Sequence, residues 1–256
     1  SYVKASRGKM IYISIVSHNH GNVILQLGCV KKLSKKYNVI ITDNTGEVYL
    51  EKFCKSNGVW YIKNAERKGF GENNNQNFQF ARNKLSMRDD DYFLVLNPDV
   101  YIEDKELEQA LSLIIKEKIK ASTINLMKEK NTYDNNIRCY PGFFDFIESY
   151  LFGKNRTIIN KSNINDNQYV DWASGSFLII LVEVYERVGG FDEHYFMYCE
   201  DLDLCRRIHS LTGEKIFYIN EVKALHFAAH NNRRLFSKHF MWHLQSIIRY
   251  CLISKY

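Results

Sequence analysis

The chain has 256 residues with 35 Lys+Arg against 29 Asp+Glu, a formal charge of +6, and is 45% hydrophobic and 25% charged. That balance is of an ordinary globular protein able to bury a core, and it excludes collagen, coiled coil and wholesale disorder. No run approaches the roughly 20 apolar residues a bilayer span needs, and no charged-then-apolar leader opens the chain.

The first nine residues are polar and basic without periodicity and read as a tag or disordered extension, leaving 10–256 as a single domain. From there strand and helix alternate. Residues 11–16 are a β-branched run ending at Ser17-His18-Asn19-His20-Gly21, and a helix is expected over 23–36. A second strand at 39–41 ends at Asp43-Asn44, a helix covers 48–57, and 59–62 is a third strand. A Gly/Asn-rich turn at 69–75 then opens a helix to about 85. Residues 92–96, Tyr-Phe-Leu-Val-Leu, form an unbroken apolar run, as expected of a strand buried on both faces, and stop at Asn97-Pro98-Asp99. Such alternation predicts βαβ units in a mostly parallel sheet, with the ligand crevice beyond the carboxyl ends of the strands. Residues 10–130 make a nucleotide-type half and 131–256 an acceptor-type half. Residues 131–168, rich in Asn, Phe and Tyr, read as an irregular excursion that orders on substrate binding. Order returns at Val170 with a small-residue turn into a strand. A helix over 200–211 closed by Gly213, a strand at 215–219 and a last helix over 235–252 complete the chain.

Three clusters carry chemistry. Asp99, at the exit of a buried strand, suits a hard cation that keeps positions open for phosphate oxygens; Asn-Pro-Asp is equally good turn chemistry. Glu200-Asp201-Leu202-Asp203 is a second acidic cluster, for which helix capping is the simpler reading. His226 and His230 have i,i+4 spacing without a third zinc ligand. One His completing an oxygen-rich site and two surface histidines both fit. The Gly69-Phe70-Gly71 turn lacks the third glycine of a dinucleotide fingerprint and the Gly-Lys-Ser/Thr of a phosphate loop. The six cysteines show no CxxC spacing and read as reduced thiols of a cytoplasmic protein, and the scattered basic residues argue against nucleic acid.

Together the segments at Ile15-Val16-Ser17-His18, Asp43-Asn44, 69–75, Leu96-Asn97-Pro98-Asp99, 171–177, Gly190-Phe191-Asp192, 195–205 and His226 resemble family 2 glycosyltransferases of the GT-A fold. More narrowly they resemble the bacterial rhamnosyltransferases of O-antigen, lipopolysaccharide and related surface-polysaccharide biosynthesis. The resemblance runs from about residue 12 to 250. It implies a Rossmann-like sheet flanked by helices. Val16, Ser17 and Asp43 would hold the nucleotide base, with Phe70, Gly71, Asn74 and Asn97 as further nucleotide contacts. Asp99, at the last position of an Asp-x-Asp motif whose first position here is Asn97, would bind Mg²⁺ or Mn²⁺ with His226. Asp201 matches the catalytic base of a single inverting displacement. Trp172, Ser174, Gly175 and Glu200 would meet sugar or acceptor, a planar Trp face suiting a deoxysugar; a core Trp fits as well.

The implied donor is dTDP-β-L-rhamnose. The implied acceptor is an N-acetylglucosamine-type, polyprenyl-diphosphate-linked glycan. In the last helix Lys238, Trp242, Gln245 and Arg249 line one side, with Arg233 and Arg234 upstream, a pattern for a membrane surface or a solvated face. The membrane reading makes the protein peripheral at the inner face of the cytoplasmic membrane. The alternatives are the same fold with a UDP-hexose donor, or a non-catalytic nucleotide-sugar or glycan-binding module.

Overall fold

The computed structural model describes residues 8–128, 132–142, 145, 156–196 and 199–227. Both the 235–252 helix and the start of the basic extension lie outside them. The chain opens with β1 (Ile11–Ser17), α1 (Gly21–Leu27), α2 (Cys29–Leu33), β2 (Asn38–Asp43), α3 (Val48–Ser56), β3 (Trp60–Lys63), α4 (Phe70–Lys84) and β4 (Tyr92–Leu96). The helix expected over 23–36 is two helices. Gly28 separates them at φ +65°, a left-handed turn that glycine enters without a Cβ penalty. Next come β5 (Val100–Tyr101), α5 (Asp104–Lys116), β6 (Ala121–Met127), β7 (Ile137–Arg138), β8 (Gln168–Val170), β9 (Trp172–Ala173), β10 (Phe177–Leu181), α6 (Val182–Arg187), α7 (Glu200–Thr212) and β11 (Ile216–His226).

The main sheet runs β3-β2-β1-β4-β10-β6-β11-β5, with β8 paired to β11, and β7-β9 form a separate two-stranded ribbon. Parallel pairing holds among β3, β2, β1 and β4. The other half is mixed, because β10 inserts antiparallel between β4 and β6. The mostly parallel expectation therefore describes the first half of the sheet.

Strand alternation splits the core into two layers. Ile11, Ile13 and Ile15 of β1 pack on one face with Leu50 and Ile114, while Tyr12, Ile40 and Phe93 pack on the other with Phe78 and Leu204. The second face includes a polar island. Ser14 donates to Asn74 (2.7 Å), Asn77 donates to Ser14 (2.9 Å), and Thr42 bonds Asn77. Asn74 and Asn77 sit at i,i+3, so one face of α4 carries both and fixes the helix on the sheet.

Two features place the site. The final strand is longer than the 215–219 expectation, because a register irregularity between Ile219 and Lys223 lets β11 continue to His226. His226 therefore ends a strand, so helical spacing to His230 does not apply, and His230 lies outside the described residues. At its end β11 pairs with the two-residue β5, setting His226 opposite Val100 and so beside Asp99.

Candidate active site

Five segments are tied together by hydrogen bonds that main-chain amides donate. The Asn97 amide donates to Ser176 O (2.9 Å), which joins the Asn-Pro-Asp exit of β4 to the 174–176 turn. In that turn the Ser174 amide donates to Asn136 O (2.8 Å) and the Gly175 amide to Asp201 Oδ2 (2.9 Å). The Phe227 amide closes the set on Asp99 O (3.0 Å). Asp99, Asp134–Asn136, Ser174–Gly175, Asp201 and His226 thus share one hub despite their separation in sequence.

At one end of the hub His226 lies between two carboxylates. Its Nδ1 is 2.9 Å from Asp134 Oδ2 and its Nε2 is 3.3 Å from Asp99 Oδ1. The three side chains are only 10–16% exposed. Burial lowers the His226 pKa, but bonding to Asp134 and Asp99 outweighs it and pushes the value up to about 9. Burial likewise raises the Asp99 carboxyl, and the His226 partner carries it below the usual range. The 3.3 Å contact is an ion pair rather than an aligned hydrogen bond, so the buried Asp99 Oδ1 has no hydrogen-bond partner. An unsatisfied carboxylate oxygen beside an imidazole nitrogen is a donor set that fits Mg²⁺ or Mn²⁺ completed by phosphate and water oxygens. No cluster of three metal-ligating side chains occurs among the described residues.

At the other end, Cys199 at φ +63° turns the chain into α7, delivering Glu200 and Asp201 in the first turn. Asp201 accepts from the Gly175 and Leu202 amides (both 2.9 Å). Burial raises its pKa against those bonds. Burial first, and the Asp201 charge second, push Glu200 up to about 8, and its buried Oε2 has no hydrogen-bond partner. Asp203 points elsewhere, to Arg207 (2.8 Å), whose guanidinium also caps Val188 O and Gly190 O. The acidic cluster therefore divides into the ion-paired Asp203, the amide-bonded Asp201 and Glu200, which has an unsatisfied oxygen. Gly175 is wedged between Asp201 and Phe70: a Cβ there would lie 2.9 Å from the Phe70 ring and 3.7 Å from Asp201 Cβ.

The other expected residues fall into two groups. Phe70 starts α4 with its ring edge-on to Phe191 (5.6 Å), and Gly71 lets that contact form, since a Cβ would meet Phe191 at 2.8 Å. Asn97 and Ser174 are half-buried in the hub, the Ser174 hydroxyl bonding Ser176 (2.9 Å). Asp43 and Asn74 are fully buried, and their polar atoms are engaged within the protein. Asp43 accepts from the Thr45, Gly46 and Glu47 amides and from the Thr45 and Tyr61 hydroxyls. Burial alone would raise its carboxyl, but the amide bonds hold it below the usual range. Asn74 spans Ser14 and Phe70 O. Val16 and Ser17 are buried in β1, with Ser17 O accepting the Asn44 amide (2.9 Å). Trp172 is buried too; its indole donates to Cys139 O (2.9 Å) and the Arg138 guanidinium covers its ring at 5.3 Å.

Sequence reasoning missed Asp134, Asn136 and Lys161, all inside the presumed excursion. Lys161 is 2% exposed, and its ammonium donates to Leu126 O (2.9 Å), Asn125 Oδ1 (3.2 Å) and Asn136 Oδ1. Burial drives its pKa down to about 7. A lysine in an Asn-rich stretch carries no pattern that announces burial.

The half-parallel sheet, the acidic strand exit and the buried carboxylate pair define an α/β enzyme of the GT-A class. Its similarity to solved structures agrees: a GalNAc-T7 crystal structure with UDP, GalNAc and Mn²⁺ matches with a TM-score of 0.70 at 15% identity, over 94% of this chain and 47% of that one. The glycosyl transferase family 2 model matches residues 12–187, and the chain belongs to that family. It is 39% identical over 247 residues to the rhamnosyltransferase WbbL of Escherichia coli K12, covering 94% of this chain and 92% of that protein. It is also 40% identical over 77 residues to N-acetylglucosaminyl-diphospho-decaprenol L-rhamnosyltransferase of Mycobacterium tuberculosis, covering 30% of this chain and 25% of that one.

Proposed function

We propose that this glycosyltransferase moves L-rhamnose from dTDP-β-L-rhamnose to an N-acetylglucosamine-type acceptor on a polyprenyl diphosphate, in surface-polysaccharide or O-antigen assembly. Full-length similarity to a rhamnosyltransferase supports the donor, and the shorter mycobacterial match supports a lipid-diphosphate acceptor. The observation that carries the chemistry is the hub, in which the Asn97 and Gly175 amides tie the Asp99 exit and the Asp201 carboxylate to one turn.

In this reading Asp201 is the general base. Its two amide bonds fix the carboxylate, and its raised pKa strengthens it as a proton acceptor for the attacking hydroxyl. Proton removal and in-line attack at the anomeric carbon invert its configuration. Asp99 and His226 hold Mg²⁺ or Mn²⁺, which when bound supplies positive charge to the departing nucleoside diphosphate. Phe70, Gly71 and Asn97 border the donor; Asp43, Asn74 and the β1 end at Val16 and Ser17 hold up the loops that receive the base. Ser174, Gly175 and Glu200 border the sugar and acceptor, with Trp172 supporting them from beneath. The acceptor lipid is met at the inner membrane surface, with the basic 233–249 segment as the contact; among the described residues no helix is long and apolar enough to cross a membrane.

The test is a transfer assay with a synthetic N-acetylglucosaminyl diphospholipid, comparing dTDP-rhamnose with UDP-glucose, UDP-galactose and UDP-N-acetylglucosamine by product mass. The expected product gains one deoxyhexose from dTDP-rhamnose alone and is lost with chelator. Transfer from a UDP-sugar would keep the enzyme and overturn the donor. Neither transfer nor donor hydrolysis would favour a binding module.

A further inference from the structure

We propose that Asp134 is a positioning residue for the cation site: it holds the His226 ring with its proton on Nδ1, so that Nε2 is the nitrogen offered beside Asp99. The inference rests on the reading of Asp99 and His226 as cation ligands, and its evidence is the geometry on the far side of the imidazole. Asp134 Oδ2 is 2.9 Å from Nδ1, the shorter of the two ring contacts. An ionised carboxylate only accepts, so the nitrogen facing it keeps its proton when the ring yields one to an incoming cation, and the lone pair is freed on the other nitrogen. That nitrogen, Nε2, is the one 3.3 Å from the unsatisfied Asp99 Oδ1.

Asp134 is itself fixed. It is 8% exposed, and its amide donates to Leu126 O (3.0 Å) at the end of β6. The same Leu126 O accepts from the buried Lys161 ammonium, which also grips Asn136 two residues beyond Asp134. The segment that carries Asp134 is therefore clamped from beneath while its side chain faces the ring. Such an arrangement orients a ligand rather than binding substrate. Carboxylates that hold the second nitrogen of a metal-bound histidine typically change metal affinity about 10- to 100-fold when removed.

The experiment measures Mn²⁺ affinity of the full chain by electron paramagnetic resonance of the free ion, with a nucleoside diphosphate present, for wild type, D134N, H226Q and the double variant. D134E, which keeps the acceptor at a different reach, stands in where D134N does not fold, as judged by circular dichroism and Tm. In ¹⁵N-histidine spectra of the Mg²⁺-loaded wild type, the His226 proton is expected on Nδ1. D134N is expected to weaken Mn²⁺ binding about 10-fold or more, and to have no further effect in the H226Q background. D134N within twofold of wild type while H226Q is clearly weakened overturns the role of Asp134 alone, as does an equal D134N loss with and without His226. Unchanged binding by H226Q overturns the cation reading, and this proposal with it.

Discussion

Two aspartates in this molecule sit at the ends of comparable turns and have opposite fates. Asp43, after β2, is fully buried and accepts five hydrogen bonds, which hold its carboxyl below the usual range. Asp201, opening α7, accepts two amide bonds beside a second carboxyl and is raised. A carboxylate whose oxygens are saturated by the chain stabilises a turn and has little basicity left. One that is desolvated and partly satisfied retains the capacity to take a proton. The exit of β2 is built in the first manner and the start of α7 in the second.

The sharpest way to break that contrast is to remove the basicity without changing shape. D201N keeps the acceptor for the Gly175 amide and should lower turnover by about 10²–10⁴-fold, the usual worth of a general base, with nucleoside diphosphate affinity unchanged. Steady-state kinetics with calorimetric nucleotide binding checks both, and near-wild-type turnover would remove Asp201 from the mechanism. G175A is expected to act more gently. Its new methyl presses on the Phe70 ring and displaces the turn whose amide orients Asp201. A displacement near 1 Å costs about 10²-fold in rate, so kcat should fall well before Tm does.

The supporting half answers differently. Asn74 bridges Ser14 and the Phe70 carbonyl beneath the crevice, so N74A leaves buried polar groups unpaired and should cost about 1–3 kcal/mol of stability. Nucleotide affinity measured well below the new Tm should remain close to wild type. A large loss of affinity at full folding would instead make Asn74 a ligand contact.

This contrast was only partly legible in the sequence. The β4 run, the Asp99 exit and the α7 acids stood out because each is a local pattern, an apolar strand or a charged first turn. Gly28 was visible as a residue, but the helical period across it masked the break. Asp134 and Lys161 had no local signature, because their roles exist only through partners far along the chain: Asp134 meets a histidine 92 positions away. The extension of β11 to His226 was hidden by Asn220-Glu221, polar residues at the irregularity that interrupt the strand's alternation. For the same reason the surroundings of Asp43 were hidden, since sequence shows a carboxylate at a strand end without showing the five donors around it.

The smallest effect, and the one that tests the pairing directly, belongs to Glu200. Its pKa rises from 4.5 in the unfolded chain to about 8 when folded, chiefly through burial and then through the charge of Asp201. Between those values the folded state binds more protons than the unfolded one, so this group's contribution to stability falls as pH rises from about 4.5 toward 8. E200Q is neutral throughout and escapes that loss. Its Tm should exceed wild type by about 2–4 °C per kcal/mol gained at pH 8, with the difference closing toward pH 4. The D201N variant should report the same coupling from the other side. Asp201 ionises first and its charge helps raise Glu200, so in D201N the pH range over which stability falls should move to lower pH, as expected when two carboxyls titrate as a pair. A Tm difference that is constant with pH, together with an unshifted stability profile in D201N, would separate Glu200 from Asp201 and leave it as packing alone.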